Sequence, residues 1–432
     1  MKTLPLLLPS LYILLSLTLS HGLTKKPTDL EVFHMYSPSS PLRPRNNPSW
    51  EDTVLQMQTK DKARLQFLTS LVAAKKSSVP IGYGKNIVQS PTYIVKAVFG
   101  TPGQTLLMAL DNSNDNAFIP CTDCVGCSTT VFAPTKSSTY KKVPCGAPQC
   151  AQVPGPLCSL DKTCASNFTY GSSSVQTRVS QDTLQLAQDP VPTFTFGCIE
   201  KTTGGSTPPQ GLLGLGRGPL SLLSQTYNLY KSTFSYCLPN FKSTNFTGSL
   251  RLGPLGQPVN IKTTPLLRNP RRSSLYYVKV VGIKVGSKVV DIPPSAFAFD
   301  PNSGAGTIFD SGTSFTSLVK PAYIGVRDEF RKRMGNATVT TLGGFDTCYN
   351  VPVIIKAIPS ITFMFDGMNV TLPQDNFLIH SSFGSTTCLA MAAAPDNFNS
   401  VLNVIANMQQ QNHRIFYDIP NSRIGVSRQM CS

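Results

Sequence analysis

Residues 306–313 read Gly-Thr-Ile-Phe-Asp-Ser-Gly-Thr, and residues 106–113 read Leu-Leu-Met-Ala-Leu-Asp-Asn-Ser. Each stretch is an apolar run that ends in an aspartate and is followed by small or polar turn formers. Asp111 and Asp310 are 199 residues apart. An apolar pair and a small residue follow each one: Leu212-Leu213-Gly214 after the first, Val404-Ile405-Ala406 after the second, at spacings of 103 and 96. One pattern written twice, with an aspartate leaving a buried strand each time, predicts two lobes related by an approximate two-fold axis.

That pattern has a chemical consequence. An aspartate at the end of an apolar strand is partly buried. Two of them brought together across a dyad cannot both ionise cheaply, so one pKa rises, the other falls and the pair shares a proton. Such a pair can hold a water, deprotonate it with one carboxylate and protonate a leaving nitrogen with the other. Asp111 and Asp310 are therefore the candidate catalytic residues. The turn residues behind them, Asn112 and Ser113 in one loop and Ser311, Gly312 and Thr313 in the other, are positioned to fix the carboxylates. The competing reading is two unrelated aspartates that cap turns. It explains one Asp-Ser-Gly but not the doubling with matched spacing.

Composition agrees with a strand-built, extracytoplasmic protein. The 432 residues suffice for two to three domains. Hydrophobic residues make up 41% and charged residues 14%, which argues against disorder, and 31 Gly with 35 Pro punctuate the chain as short strands require. Twelve cysteines, an even count, fit an oxidising compartment. The four histidines are His21, His34, His380 and His413, and the first two fall in the N-terminal segment. Two histidines leave little for a multi-His metal site or a Ser-His-Asp triad. No HExxH, P-loop or GxGxxG sequence is present, so no metal and no cofactor is expected.

Residues 1–22 read as a secretory signal: Lys2, an apolar run from Leu4 to Leu19, and the small residues Ser20 and Gly22 before a cleavage point. The run is 16 residues long and holds Pro5 and Pro9, whereas a membrane span needs about 20 apolar residues. No later stretch has spanning length. Residues 23–76 are cysteine-free and basic, with a helical pattern from Trp50 to Ala74, and read as a propeptide; a small N-terminal domain is the alternative. Four N-x-S/T sequons, at Asn167, Asn245, Asn336 and Asn369, suit a secreted glycoprotein. Beyond residue 76 the chain has 28 basic and 17 acidic residues, net +11. That charge suits a polyanion such as acidic cell-wall polysaccharide, while the absence of a basic-aromatic motif argues against nucleic acid; a merely solvated basic surface explains it as well.

With these features assembled, the sequence resembles the pepsin-like aspartic endopeptidases, and within them the plant nepenthesin-like group. Tyr93 to Pro102 looks like the group's first strand with its Gly-Thr-Pro turn. Thr307-Ile308-Phe309-Asp310-Ser311-Gly312-Thr313 resembles the second catalytic loop. Gly211-Leu212-Leu213-Gly214-Leu215-Gly216-Arg217-Gly218 and Gln409-Gln410-Gln411-Asn412 are also similar to the group's motifs. The likeness is greatest to the atypical subgroup with apoplastic, disease-resistance-associated proteases and the chloroplast-nucleoid-type protease.

The resemblance implies an all-β, bilobal acid protease fold: a six-stranded central sheet beneath two pseudo-two-fold-related lobes, here 77–255 and 256–432, with a cleft between them. It implies an extracellular (apoplast or cell-wall) endopeptidase acting on polypeptides at acid pH, a monomer made as a zymogen, with a role in plant defence. Phe168-Thr169-Tyr170-Gly171 resembles the flap, which makes Tyr170 and Gly171 substrate-facing. The group's cysteine order implies the pairs Cys121–Cys124, Cys127–Cys198, Cys145–Cys164, Cys150–Cys158, Cys237–Cys431 and Cys348–Cys388; a zinc site at Cys121, Cys124 and Cys127 is the competing reading.

Three departures matter. The family has threonine where this chain has Asn112; its hydroxyl ties the two loops together, and an asparagine either preserves that tie or spreads the loops. Phe118 stands where the group carries a tryptophan whose N–H supports the flap tyrosine. Ala406 replaces a common glycine. The atypical subgroup tolerates the last change, but Asn112 and Phe118 motivate a rival function, a catalytically silent protein that binds and inhibits microbial cell-wall glycosidases, which the intact second loop opposes.

Overall fold

The computed structural model describes residues 49, 77–88, 92–243, 246–350, 358–381, 386–395 and 401–431. The signal and propeptide readings (1–22 and 23–76) and the Asn245 sequon thus lie outside the described residues, save Ser49. Two compact units divide the chain after Ala73, and the second, Ala74–Ser432, holds every described strand and helix.

The first half is built on alternating burial. Strands β1 (Ser77–Tyr83), β2 (Tyr93–Phe99) and β3 (Gln104–Asp111) form an antiparallel run. β3 becomes continuously buried towards its end, so Asp111 leaves the core rather than the surface. β4 (Phe118–Val125) follows the turn. β5 (Cys164–Tyr170) and β6 (Ser173–Leu186) make a long hairpin, and β7 (Asp189–Thr203) returns alongside β6 and pairs in parallel with β4. β8 (Leu212–Gly214) then runs parallel to β3, with Leu213 beside Leu110 and Gly214 beside Asp111.

Next come β9 (Thr233–Cys237), β10 (Gly248–Leu252) and β11 (Thr263–Leu267). The second half repeats the first. β12 (Tyr276–Val278) is antiparallel to β13 (Gly306–Phe309), as β2 is to β3. β14 (Thr316–Leu318) leads into helix α1 (Lys320–Arg333) and pairs in parallel with β15 (Met391–Ala393), as β4 does with β7. β16 (Leu402–Ile405) runs parallel to β13, with Val404 beside Ile308 and Ile405 beside Phe309. The apolar pairs that recur a hundred residues after each aspartate are therefore the parallel neighbours of the aspartate strands. That is the physical meaning of the repeat.

β17 (His413–Asp418) and β18 (Arg423–Arg428) complete a six-stranded antiparallel sheet in the order β1–β10–β9–β17–β18–β11. Its central pair, β9 and β17, sets Phe234 opposite Tyr417. The fold is the all-β, bilobal arrangement with a central sheet that the sequence predicts. Among the described residues no helix is long and apolar enough to cross a membrane.

Six disulfides use all twelve cysteines, but four of the expected pairs are wrong. The bonds are Cys121–Cys198 and Cys124–Cys127, not Cys121–Cys124 and Cys127–Cys198. Cys121 is buried in β4 against β7, and residues three apart on a strand face opposite ways, so it meets Cys198. Cys124 instead closes across the turn at Gly126, whose φ is 84°. Likewise the bonds are Cys145–Cys158 and Cys150–Cys164, not Cys145–Cys164 and Cys150–Cys158. Cys158 and Cys164 are cross-strand partners with opposite fates. Cys164 is buried with Cys150, Val143 and Val179, and the exposed Cys158 reaches Cys145. Cys237–Cys431 and Cys348–Cys388 match the expectation.

Candidate active site

The two loops meet over the centre of the six-stranded sheet. Asp111 and Asp310 are both buried, 3% and 7% exposed. Their surroundings are dyad-related. Asp111 Oδ1 accepts from the Ser113 N–H at 2.8 Å, two residues on, and Asp310 Oδ1 accepts from the Gly312 N–H at 2.9 Å. Three residues on, Asn114 Nδ2 donates to Asp111 Oδ2 at 3.0 Å and Thr313 Oγ1 donates to Asp310 Oδ2 at 2.5 Å. The Ser113 hydroxyl adds a bond to Asp111 Oδ1 at 2.7 Å. A Cβ built on Gly312 would sit 3.0 Å from Asp111 Cγ. A side chain at this position would crowd the first carboxylate, and glycine leaves the second loop free to come this close.

Asn112 preserves the tie between the loops. Its Oδ1 accepts from the Ser311 N–H at 2.8 Å and its Nδ2 donates to the Phe309 carbonyl at 3.2 Å. In return the Ser311 hydroxyl accepts from the Asn112 N–H at 3.1 Å and donates to the Leu110 carbonyl at 3.4 Å. A carboxamide carries an acceptor and a donor, so it reproduces both functions of a hydroxyl. The loops are held, not spread.

Electrostatics follow from this enclosure. Burial, and next the negative charge of Asp111, push the Asp310 carboxyl well above the usual carboxylate range; the bonds from Thr313, Gly312 and Ser113 only partly offset this. Such a pair holds one proton between two carboxylates.

Tyr170 ends β5, and the hairpin turns through Gly171, with φ 55°, and Ser172. Positive φ at the first turn residue matches the twist of a two-residue hairpin. The tip is braced by a serine cluster: Ser206 Oγ accepts from the Ser172 N–H at 2.9 Å, and Ser173 Oγ accepts from the N–H groups of Ser206 and Thr207 at 2.8 and 3.0 Å. The Tyr170 ring meets Phe118 edge-on, centroids 5.7 Å apart, and its hydroxyl donates to Asp111 Oδ2 at 3.3 Å. Phe118 offers packing but no N–H, and the phenol turns to the carboxylate instead. Burial and then Asp111 raise the Tyr170 pKa far above its ordinary value, so it remains a donor.

The sequence reading places Asn114 in the first loop without giving it a role, and it passes over Asp115, which accepts from the Gly218 N–H at 2.7 Å and from the Ser274 hydroxyl at 2.5 Å and so joins the two halves. Asp115 follows that loop directly, and a polar run of this length after an apolar strand was the available signal. Part of the positive charge is neutralised on α1, where Arg327 pairs with Asp328 at 2.8 Å, Arg331 with Asp346 at 3.3 Å and Arg333 with Glu329 at 2.7 Å.

Family models described as xylanase inhibitor N-terminal and xylanase inhibitor C-terminal match residues 93–254 and 275–428. The aspartyl protease AED3 of Arabidopsis thaliana is 48% identical over 414 residues, 94% of this chain and 92% of that protein. The aspartic proteinase nepenthesin-1 of Nepenthes gracilis is 34% identical over 379 residues, 85% of this chain and 83% of its own length. The chain belongs to the plant nepenthesin-like aspartyl protease family. A further member, aspartyl protease 25 of Oryza sativa subsp. japonica, is 44% identical over 94% of this chain and 95% of its own. In shape the protein is similar to the crystal structures of edgp and of soybean basic 7S globulin. Their TM-scores are 0.69 and 0.65 at 20% identity, covering 83% and 82% of this chain and 96% and 97% of theirs, a likeness of fold alone. Against that family's pattern, the unusual residue Asn112 makes the two bonds expected of a threonine and one more.

Proposed function

We propose that this member of the family is an active endopeptidase that hydrolyses peptide bonds at acid pH, with water activated between Asp111 and Asp310. The reciprocal tie between Asn112 and Ser311 carries the reading: it keeps two buried carboxylates on dyad-related loops in one rigid floor. A silent binding protein has no use for that preorganisation, whereas misplacement of a reacting group by about 1 Å can cost roughly a hundredfold in rate.

Asp111 collects the larger set of donors and serves as the charged partner; Asp310 carries the shared proton. Asp111 takes a proton from the water as its oxygen attacks the carbonyl carbon, and Asp310 gives its proton to the carbonyl oxygen. The proton on Asp111 then passes to the amide nitrogen as the C–N bond breaks, and a hydroxyl of the intermediate returns a proton to Asp310. The pair ends as it began. Substrate must first move Tyr170 off Asp111, after which the phenol can donate to the substrate and the hairpin can close over it.

The same reading takes residues 1–22 as a secretory signal and 23–76 as a prosegment removed on activation. Six disulfides favour an oxidising compartment, here the apoplast. The sequon residues Asn167, Asn336 and Asn369 are exposed and accessible to glycan addition. The substrates are polypeptides, the protein acts as a monomer in defence, and the exposed basic run Arg268, Arg271 and Arg272 suits acidic polysaccharide. Digestion of a denatured protein between pH 3 and pH 8, with and without a statine peptide, tests the activity. Acid-limited, statine-sensitive cleavage supports it; tight binding of a microbial glycosidase with no cleavage at any pH overturns it.

A further inference from the structure

An asparagine amide differs from a threonine hydroxyl in one respect: it has a second N–H to satisfy. Asn112 is fully buried, and the second N–H of its Nδ2 finds the hydroxyl of Tyr417 at 2.9 Å. Tyr417 lies on β17 in the centre of the six-stranded sheet, its ring stacked on Phe234 (centroids 4.4 Å apart, planes at 4°) and edge-on to Tyr276 at 4.6 Å. From there the bonds continue. The hydroxyls of Tyr417 and Tyr236 are 2.7 Å apart, and Tyr236 donates to Gln410 Oε1 at 2.5 Å. Gln410 Nε2 donates to the carbonyls of Asp310 and Ile405 at 3.0 and 2.8 Å.

The direction of every proton in this chain is fixed. Gln410 spends its N–H groups on two carbonyls, so its oxygen must accept from Tyr236. The Tyr236 oxygen is then left to accept from Tyr417, and the Tyr417 oxygen to accept from Asn112. This in turn forbids the flipped amide, which would aim Asn112 Oδ1 at the Phe309 carbonyl and Nδ2 at the Ser311 N–H. All four side chains are essentially excluded from solvent, so water offers no alternative partner.

We propose that Tyr417 is a positioning residue for the carboxylate pair, matched to Asn112. It accepts the amide proton that a threonine would not have, and so holds the interlobe tie in its single working orientation. Tyr236 and Gln410 extend the same hold to the backbone of Asp310. The effect on Asp111 and Asp310 runs through Asn112 and Gln410; Tyr417 touches neither carboxylate. The inference rests on the peptidase reading for its catalytic consequence, but the pairing itself does not.

Four proteins test it: the unaltered chain, Tyr417→Phe, Asn112→Thr and the double variant. Phenylalanine keeps the stacked ring and removes only the hydroxyl. In the unaltered background Tyr417→Phe should lower kcat about tenfold with KM within about twofold, because a buried N–H loses its acceptor. In the Asn112→Thr background the same change should cost no more than about twofold. Equal losses in both backgrounds overturn the proposal, since a merely structural tyrosine would behave so. Should none of the four hydrolyse peptides, the peptidase reading fails by itself. Denaturant unfolding of the same four then decides the pairing: non-additive midpoints uphold it and additive midpoints overturn it.

Discussion

Asn112 and Ser311 each accept the other's backbone N–H through the side chain, at 2.8 and 3.1 Å, across 199 residues of sequence. The exchange binds the two aspartate loops into one surface. Asn112→Ala removes three side-chain bonds and leaves the Ser311 N–H and the Phe309 carbonyl buried without these partners. At about 1–3 kcal/mol for each unsatisfied group, unfolding free energy should drop by about 2–6 kcal/mol. Peptide hydrolysis should drop at least about a hundredfold. Asn112→Thr should recover most of both losses, because a hydroxyl can accept from Ser311 and donate to Phe309. Denaturant melts and initial rates of the two variants measure this.

The contact of Tyr170 with Asp111 predicts a resting site that substrate must open. A cavity of about 20 Å³ borders Phe118, Phe168 and Val153 and leaves some room for a larger ring. In Phe118→Trp an indole N–H competes for the phenol oxygen and draws it from the carboxylate. At roughly 1 kcal/mol for such a bond, kcat/KM should rise about fivefold. An unchanged kcat/KM in a variant of undiminished stability would mean that Tyr170 does not restrain the resting enzyme.

The raised pKa of Asp310 bears on stability with a definite sign. Below the ordinary aspartate value, roughly 4, both folded and unfolded chains hold the proton. Between that value and the higher folded-state value the native protein binds more protons than the unfolded chain, so stability falls as pH rises through the window. Above the window the destabilisation is fully present. Asp310→Asn abolishes it. That variant should melt a few degrees above the unaltered protein at neutral pH, and the gap should shrink as the pH is lowered towards 4.

Disulfide connectivity gives a test free of activity. Non-reducing peptide mapping should return Cys150–Cys164 and Cys145–Cys158, the two buried cysteines with each other and the two more exposed ones with each other. Recovery of Cys145–Cys164 would contradict the strand register of this insert.

The doubled aspartate strands and their parallel partners were legible because period and spacing are properties of the chain itself. Asp111, Asp310 and the loop residues behind them could be read for the same reason. The cysteine pairing was not legible in the insert. It depends on which face of each strand is buried, as Cys158 and Cys164 show by standing opposite each other yet bonding elsewhere. Nor could sequence decide whether Asn112 ties or spreads the loops. That turned on Tyr417, 305 residues away, whose place beneath the site is set by the pairing of β9 with β17.

The central claim is that Asp111 and Asp310 act as one proton-sharing pair. Its most direct test is the pH profile of kcat/KM on a single peptide for the unaltered protein, Asp111→Asn and Asp310→Asn. The account predicts a bell on the acid side for the first and losses of about ten-thousandfold or more for both variants at every pH. Hydrolysis within about tenfold of the unaltered protein by either variant would contradict it.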